Sequence, residues 1–185
     1  MDIHTLAKEG NFEKLSELLN CGDVSKAREI ATLKDSLSRT PLHLASYFGH
    51  PALVELLIEY SDVDCVASDG FTPLHFAAQR GHIEVVRKLL IKANVNRKTF
   101  KSLNALHLAC LKSSPGSKHE EVIKDLIRKG ADATAKTKQG KTAIDLIVDG
   151  DLKERVTKML SDEDLVRKGT RSRNSHASEP IFTSV

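Results

Sequence analysis

Residues 135–142 read Ala-Lys-Thr-Lys-Gln-Gly-Lys-Thr. A small residue, four variable ones, then Gly-Lys-Thr is a loosened spelling of a loop that cradles phosphate. That chemistry needs a glycine-rich bend between a buried strand and a helix, so that backbone N–H groups converge on the anion. Here the only glycine in the string is Gly140, and residues 129–136, KGADATAK, are too polar for a buried strand. A second chemical candidate is a set of histidines. His4, His43, His75 and His107 occupy one position of a recurring pattern. Imidazoles in phase suggest a metal, but packed helices lie about 8–10 Å apart, whereas zinc sits about 2 Å from each nitrogen. Neighbouring histidines therefore do not converge on one ion. His107 with Cys110 is an isolated pair that reads as buried packing. No nucleophile–base arrangement follows from the spacing, and no catalytic carboxylate pair stands out among the 25 acidic residues. The expectation is no catalytic residue, no cofactor and no metal.

The chain behind these residues has 185 positions, 40% of them hydrophobic and only 4% aromatic, with no Trp. This predicts one domain with an aliphatic core. The formal net charge of +3 is spread rather than striped, which argues against direct nucleic-acid binding. The three cysteines, Cys21, Cys65 and Cys110, make an odd, widely spaced set, suiting a reducing compartment. The N-terminal stretch is charged from Asp2 and has no apolar secretory region. No apolar run approaches the ~20 residues of a membrane helix. The expectation is a cytoplasmic, membrane-free protein that could also reside in the nucleus, and a monomer on its own.

The chain repeats itself. TPLHLASYFGHPALVELLIEY starts at Thr40, TPLHFAAQRGHIEVVRKLLIK at Thr72 and NALHLACLK at Asn104, each 32 residues after the last. The third copy is interrupted by SSPGSKHE, and the pattern resumes from Glu120, about five residues late. TAIDLIVDGDLKERVTKML from Thr142 and IHTLAKEGNFEKLSELL from Ile3 add a last and a first copy. Thr before Pro is a helix start, because Thr caps free N–H groups and Pro suits the first turn. Ala45 and Ser46, or Ala77 and Ala78, put small residues on one face of a short helix. Gly49 and Gly81 end it. A second helix carries apolar residues at i, i+3 and i+4: Leu53, Leu56 and Leu57, then Val85, Val86, Leu89 and Leu90. Neither short helix can bury its apolar face alone, but stacked copies can.

These residues resemble the ankyrin repeat. Its T-P-L-H-x-A signature is intact at Thr40 and Thr72 and degraded at Asn104 and Thr142; Gly49-His50, Gly81-His82 and Gly130-Ala131-Asp132 are partial tags of the same family. The resemblance implies an all-α solenoid of stacked helix–turn–helix units with projecting β-hairpin loops, over residues 1–160. The units fall at about 1–34, 38–69, 70–101, 102–139 and 140–160. Charged Asp2, Lys8 and Glu9 in the first unit, and Lys153, Glu154 and Arg155 in the last, read as solvent-facing caps of a complete stack. In this register Gly140 matches Gly70 at a loop tip and Thr142 matches the helix caps Thr72 and Thr40. The phosphate-loop spelling thus becomes a hairpin and a cap. The family's His side chain hydrogen-bonds backbone and ties neighbouring loops.

The resemblance also implies a partner protein on the concave face, built from loop tips and outward positions of the first helices. By position these are Ser38, Arg39, Asp69, Phe71, Lys101, Lys138, Gln139 and Lys141, with Phe100 beside the third tip, and Tyr47, Phe48, Gln79, Arg80, Leu111 and Lys112 on the helices. Aromatic and Arg residues are the usual interface anchors. The expected groove has an aromatic half in the second and third units and a basic half at Lys101, Lys112, Lys138 and Lys141. It would take an extended, partly acidic segment. The expected function is a non-catalytic adaptor. The alternatives are a regulatory or inhibitory subunit of an enzyme such as a kinase, or a nuclear transcription cofactor.

Residues 161–185 are rich in Ser and charge, which predicts a disordered tail. RSRNS resembles a basophilic-kinase site at Ser175. The terminal Thr183-Ser184-Val185 resembles a class I PDZ ligand, which would add a strand to a PDZ sheet, with Val185 in an apolar pocket and Thr183 hydrogen-bonded.

Overall fold

A computed structural model describes residues 2–20, 22–114 and 117–174, with side chains placed through residue 162. It is an all-α solenoid; no strand occurs among the described residues. Unit one holds α1 (Ile3–Glu9), α2 (Phe12–Leu19) and α3 (Val24–Ala31). Units two, three and four are pairs: α4 (Pro41–Phe48) with α5 (Pro51–Ile58), α6 (Pro73–Arg80) with α7 (Ile83–Leu89), and α8 (Ala105–Lys112) with α9 (His119–Arg128). Unit five has one 3-10 turn, Ile144–Leu146, followed by α10 (Gly150–Asn174). No described helix is long and apolar enough to cross a membrane.

The inner helices α1, α4, α6 and α8 pack side by side, and α2, α5, α7 and α9 form an outer row. Ala45, Ala77 and Ala109 are fully buried between inner helices, as are Ser46, Ala78 and Cys110 one position on. Their small volume allows the close approach. The outer helices bury Leu53, Val54 and Leu57; Val85, Val86 and Leu89; and Val122, Ile123, Leu126 and Ile127. Leu56 is only partly covered, with Val54 taking the buried place expected for it.

Two buried or half-buried histidine series clasp the stack: the first holds each inner helix to the segment that follows it, and the second holds each unit to the one before. In the first, the His43, His75 and His107 Nδ1 atoms accept the backbone N–H of the helix caps Thr40, Thr72 and Asn104, at 3.1, 3.0 and 3.3 Å. With Nδ1 accepting, Nε2 carries the proton and donates forward, to the carbonyls of Phe71, Arg97 and Ala135 at 3.1, 3.0 and 3.0 Å. In the second, His50, His82 and His119 donate from Nε2 backward, to the carbonyls of Lys8, Tyr47 and Gln79 at 2.9, 3.0 and 3.1 Å. Each ring lies over the glycine that ends the preceding inner helix. A Cβ on Gly49 would stand 2.6 Å from the His82 ring, at a backbone φ of +80°, so both space and conformation demand glycine.

The connecting segments carry four turns in which a backbone N–H bonds four residues on: Asp35 to Arg39, Ala67 to Phe71, Thr99 to Leu103 and Thr137 to Lys141. Successive tips are joined by single backbone bonds, from Ser68 to Leu37, Phe100 to Asp69 and Lys138 to Lys101. The second joint brings the Phe100 backbone within 2.8 Å of where a Cβ on Gly70 would stand.

Two features depart from the sequence reading. The segment after α2 forms α3, capped by the Asp23 carboxylate on the N–H groups of Ser25 and Lys26 and burying Ala27 and Ala31. The interrupted unit regains register at His119 rather than Glu120, since His119 makes the backward clasp over Gly81. The last helix, α10, continues past residue 160 as helical backbone as far as Asn174. Leu152 and Val156 anchor that helix on the stack, and local helix propagation carries it past the last buried residue. Residues 175–185 lie outside the described residues.

Candidate functional site

Four rings run in contact along the inner surface of units two and three, edge to face at Tyr47 and tilted between Phe71 and Phe76. Phe71 meets Phe76 at 5.1 Å between centroids, Phe76 meets Tyr47 at 5.7 Å, and Tyr47 meets Phe48 at 5.0 Å. Phe76 also touches the clasp histidine His43, at 5.9 Å, and Phe71 touches His75, at 5.7 Å. Cations stand at the Tyr47 and Phe48 end: the Arg80 guanidinium lies 4.8 Å from the Tyr47 centroid and the Lys8 ammonium 5.7 Å from that of Phe48. The helices set this geometry. Tyr47 and Phe48 end α4, Arg80 ends α6, and Phe76 sits where units two and four carry Leu44 and Leu108.

Phe76 was not among the sequence-predicted positions. The signal was present: the variable place of T-P-L-H-x-A holds a ring in only one unit. Phe100 was among them, yet it makes no ring contact among the described residues and lies against Gly70 with 63% of its surface exposed. Arg39 is held at its tip by Asp35, with Nε and a terminal nitrogen each 2.8 Å from Asp35 Oδ2. Burial raises the Asp35 carboxyl, but the Arg39 hydrogen bonds outweigh it and hold the group below its ordinary value. Asp69 accepts the Phe71 N–H at 3.1 Å, stiffening the second tip. Gln79 is half-buried, its carbonyl engaged by His119.

The expected basic half is laid out along the later units. Lys101, Lys112, Lys138 and Lys141 are all exposed, as is Leu111 at 47%. None of these lysines pairs with a carboxylate within 4 Å among the described residues, and neither do Lys8 and Arg80. Thr183 and Val185 lie outside the described residues, and so does Ser175.

Two hollows open on this surface. One of about 260 Å³ is lined by Leu37, Arg39, Ala67, Ser68, Asp69 and Phe76. Its neighbour, of about 200 Å³, includes Lys8, Asp35, Arg39, Leu44 and Phe48. Elsewhere the candidate chemistry is used up by structure. Each backbone N–H from Thr137 to Thr142 already donates within the protein: to Lys141 O, Lys101 O, Thr137 Oγ1, Thr137 O, Thr137 Oγ1 and Asp145 Oδ2 in turn. None of these six N–H groups is left to converge on phosphate. Both nitrogens of His43, His75 and His107 hold backbone, and burial lowers all three pKa values, to about 4 for His43 and His75. They are neutral struts at pH 7. Burial pushes the Cys110 thiol up to about 12, which leaves it an inert apolar side chain.

A family model described as ankyrin repeats (3 copies) matches residues 3–99 and 61–137, which together span well over half of the chain. The chain belongs to the ankyrin repeat family. Comparison with curated proteins finds no match to it. Ankyrin repeats are protein–protein interaction modules, typically without catalysis of their own, and the inner aromatic row of this ankyrin stack is therefore a candidate contact surface for another protein. In unit five the ankyrin histidine is replaced by Asp145, whose carboxylate takes the Thr142 N–H and hydroxyl at 2.9 and 2.8 Å. That keeps the helix cap and gives up the forward clasp.

Proposed function

We propose that this chain is a non-catalytic adaptor that holds a partner protein along the inner face of its ankyrin stack. One observation carries the reading: the inner face presents a continuous aromatic row beside two cations, Lys8 and Arg80, that have no carboxylate partner among the described residues. Buried rings and Arg side chains are where binding energy concentrates, and unpaired positive charge steers acidic partners. Lys101, Lys112, Lys138 and Lys141 extend the same charge from the end of unit three along units four and five. The protein would work in the cytoplasm or nucleus, and the Thr183–Val185 end would recruit a PDZ domain as a second partner.

Proximity labelling followed by pull-down with the full chain identifies the partner. Phe71→Ala with Arg80→Ala should then reduce its capture by at least ~10-fold while the helical circular dichroism signal stays. Capture that survives the double substitution would rule the reading out. A partner that is an enzyme, recovered as a stable one-to-one complex with altered activity, would favour a regulatory subunit over an adaptor.

A further inference from the structure

Resting on the inner-face reading, we propose that the two hollows flanking Arg39 recognise an extended peptide carrying one branched or aromatic side chain and, about three residues away, a carboxylate. The hollows are successive: the smaller lies between units one and two, the larger between units two and three. Neighbouring inner helices are about 8–10 Å apart, and a chain extended in the polyproline II form advances about 3.1 Å per residue and returns every third side chain to the same face. One repeat step therefore corresponds to about three peptide residues.

The two hollows differ in character. The larger is floored by Phe76 and Ala67 and edged by Leu37, which is 52% exposed. Its two charged members are already engaged, Arg39 with Asp35 and Asp69 with the Phe71 N–H. An apolar side chain there covers surface that water now wets, without stripping a free charge. The smaller hollow holds Lys8, whose ammonium leans on the exposed Phe48 ring and has no carboxylate partner among the described residues. Asp35 stands nearby, but its oxygens take the Arg39 side chain and the N–H groups of Leu37 and Arg39. His4 donates from Nε2 to the Leu33 carbonyl at 3.0 Å. The charge left for a ligand is thus that of Lys8, and it selects an anion. A basic peptide would meet Lys8 at one side and Arg80 over Tyr47 at the other.

The test is an array of nine-residue, end-blocked peptides probed with the full-length chain. Each peptide carries one Leu or Phe and one Glu at separations from one to five, and a matched set carries Lys in place of Glu. Capture should peak at separations of two to four and fall at least ~10-fold in the Lys set. Lys8→Glu, a change at an exposed position, should reverse that preference. Phe76→Ala should weaken capture at every separation, with the helical signal checked alongside. Equal capture of the two sets, or a preference that Lys8→Glu does not move, would overturn the proposal. The inner-face reading fails on a different result: capture of the natural partner unaffected by Phe71→Ala with Arg80→Ala, whatever the peptides do.

Discussion

The outer and inner faces of the stack use the same kinds of residue in opposite ways. On the outer face, charges close on one another from unit to unit. Glu55 pairs with Lys88, Glu59 with Lys92 at 2.9 Å, Arg87 with Asp125 at 2.8 Å, and Arg155 takes Glu120 with two nitrogens at 3.0 Å each. On the inner face Lys8 and Arg80 rest on rings instead. The outer pairs satisfy the surface and leave little for a partner. The inner cations keep their charge available, beside apolar rings that a partner would cover. Beneath the inner face lie buried clasp histidines, so the foundation of that face is neutral and rigid while its rim is charged.

This contrast can be broken at several depths. The largest effect is expected beneath the inner face. His75→Ala removes the acceptor of the buried Thr72 N–H and the donor to the part-buried Arg97 carbonyl, and should cost about 3 kcal/mol of stability in chemical denaturation. Acid acts on the same struts. The folded values of His43 and His75 are near 4, below the ordinary 6.5, so between those limits the unfolded chain binds the extra protons. Stability should be intact above pH 6.5 and lost as pH falls through 4, on the order of 1 kcal/mol per pH unit for each histidine. A melting temperature flat across that window would show that they titrate normally. Next come the rings. Tyr47→Ala should reduce partner capture by about 10-fold with a far smaller change in denaturation midpoint than His75→Ala. On the outer face, Arg87→Ala should lower the melting temperature by a few degrees at most, less in high salt, and leave capture unchanged. The smallest effect is expected for Lys138→Ala with Lys141→Ala. Stability should not move, and capture should fall less than ~3-fold, with a shallower salt dependence.

The parts of this architecture legible in the sequence are those that recur. Thr-Pro and the phased His mark the starts of α4 and α6, and Asn104 with His107 marks α8 at the same spacing, because cap, first turn and clasp depend on neighbours a few residues apart. The reading of residues 135–142 followed from register alone: four turns share one hydrogen-bond pattern, and the fourth is that string. What was missed does not repeat. Among the described residues a third helix like α3 occurs in unit one alone. His119 is separated from its helix partner by an insertion, so its match to His82 is hidden until Gly81 and the Gln79 carbonyl are seen beneath it. Phe76 stood inside the best-matching motif at its variable place, where family likeness carries no information about which side chain faces out. In unit five Asp145 caps a 3-10 turn and does not reach forward as the histidines do.

The insertion ahead of α9 has a practical consequence. Ser114 and Ser117 are pinned together, the Ser114 N–H on Ser117 Oγ at 3.2 Å and the Ser117 N–H on the Ser114 carbonyl at 3.0 Å. The chain thus leaves and returns at nearly one point, and the His119 clasp re-forms just after it. Such a point is a splice site: a fluorescent reporter or a whole folded module spliced between Ser114 and Ser117 has both its ends accommodated before the stack resumes. The same stack would then carry a reporter at a point apart from the aromatic row of units two and three.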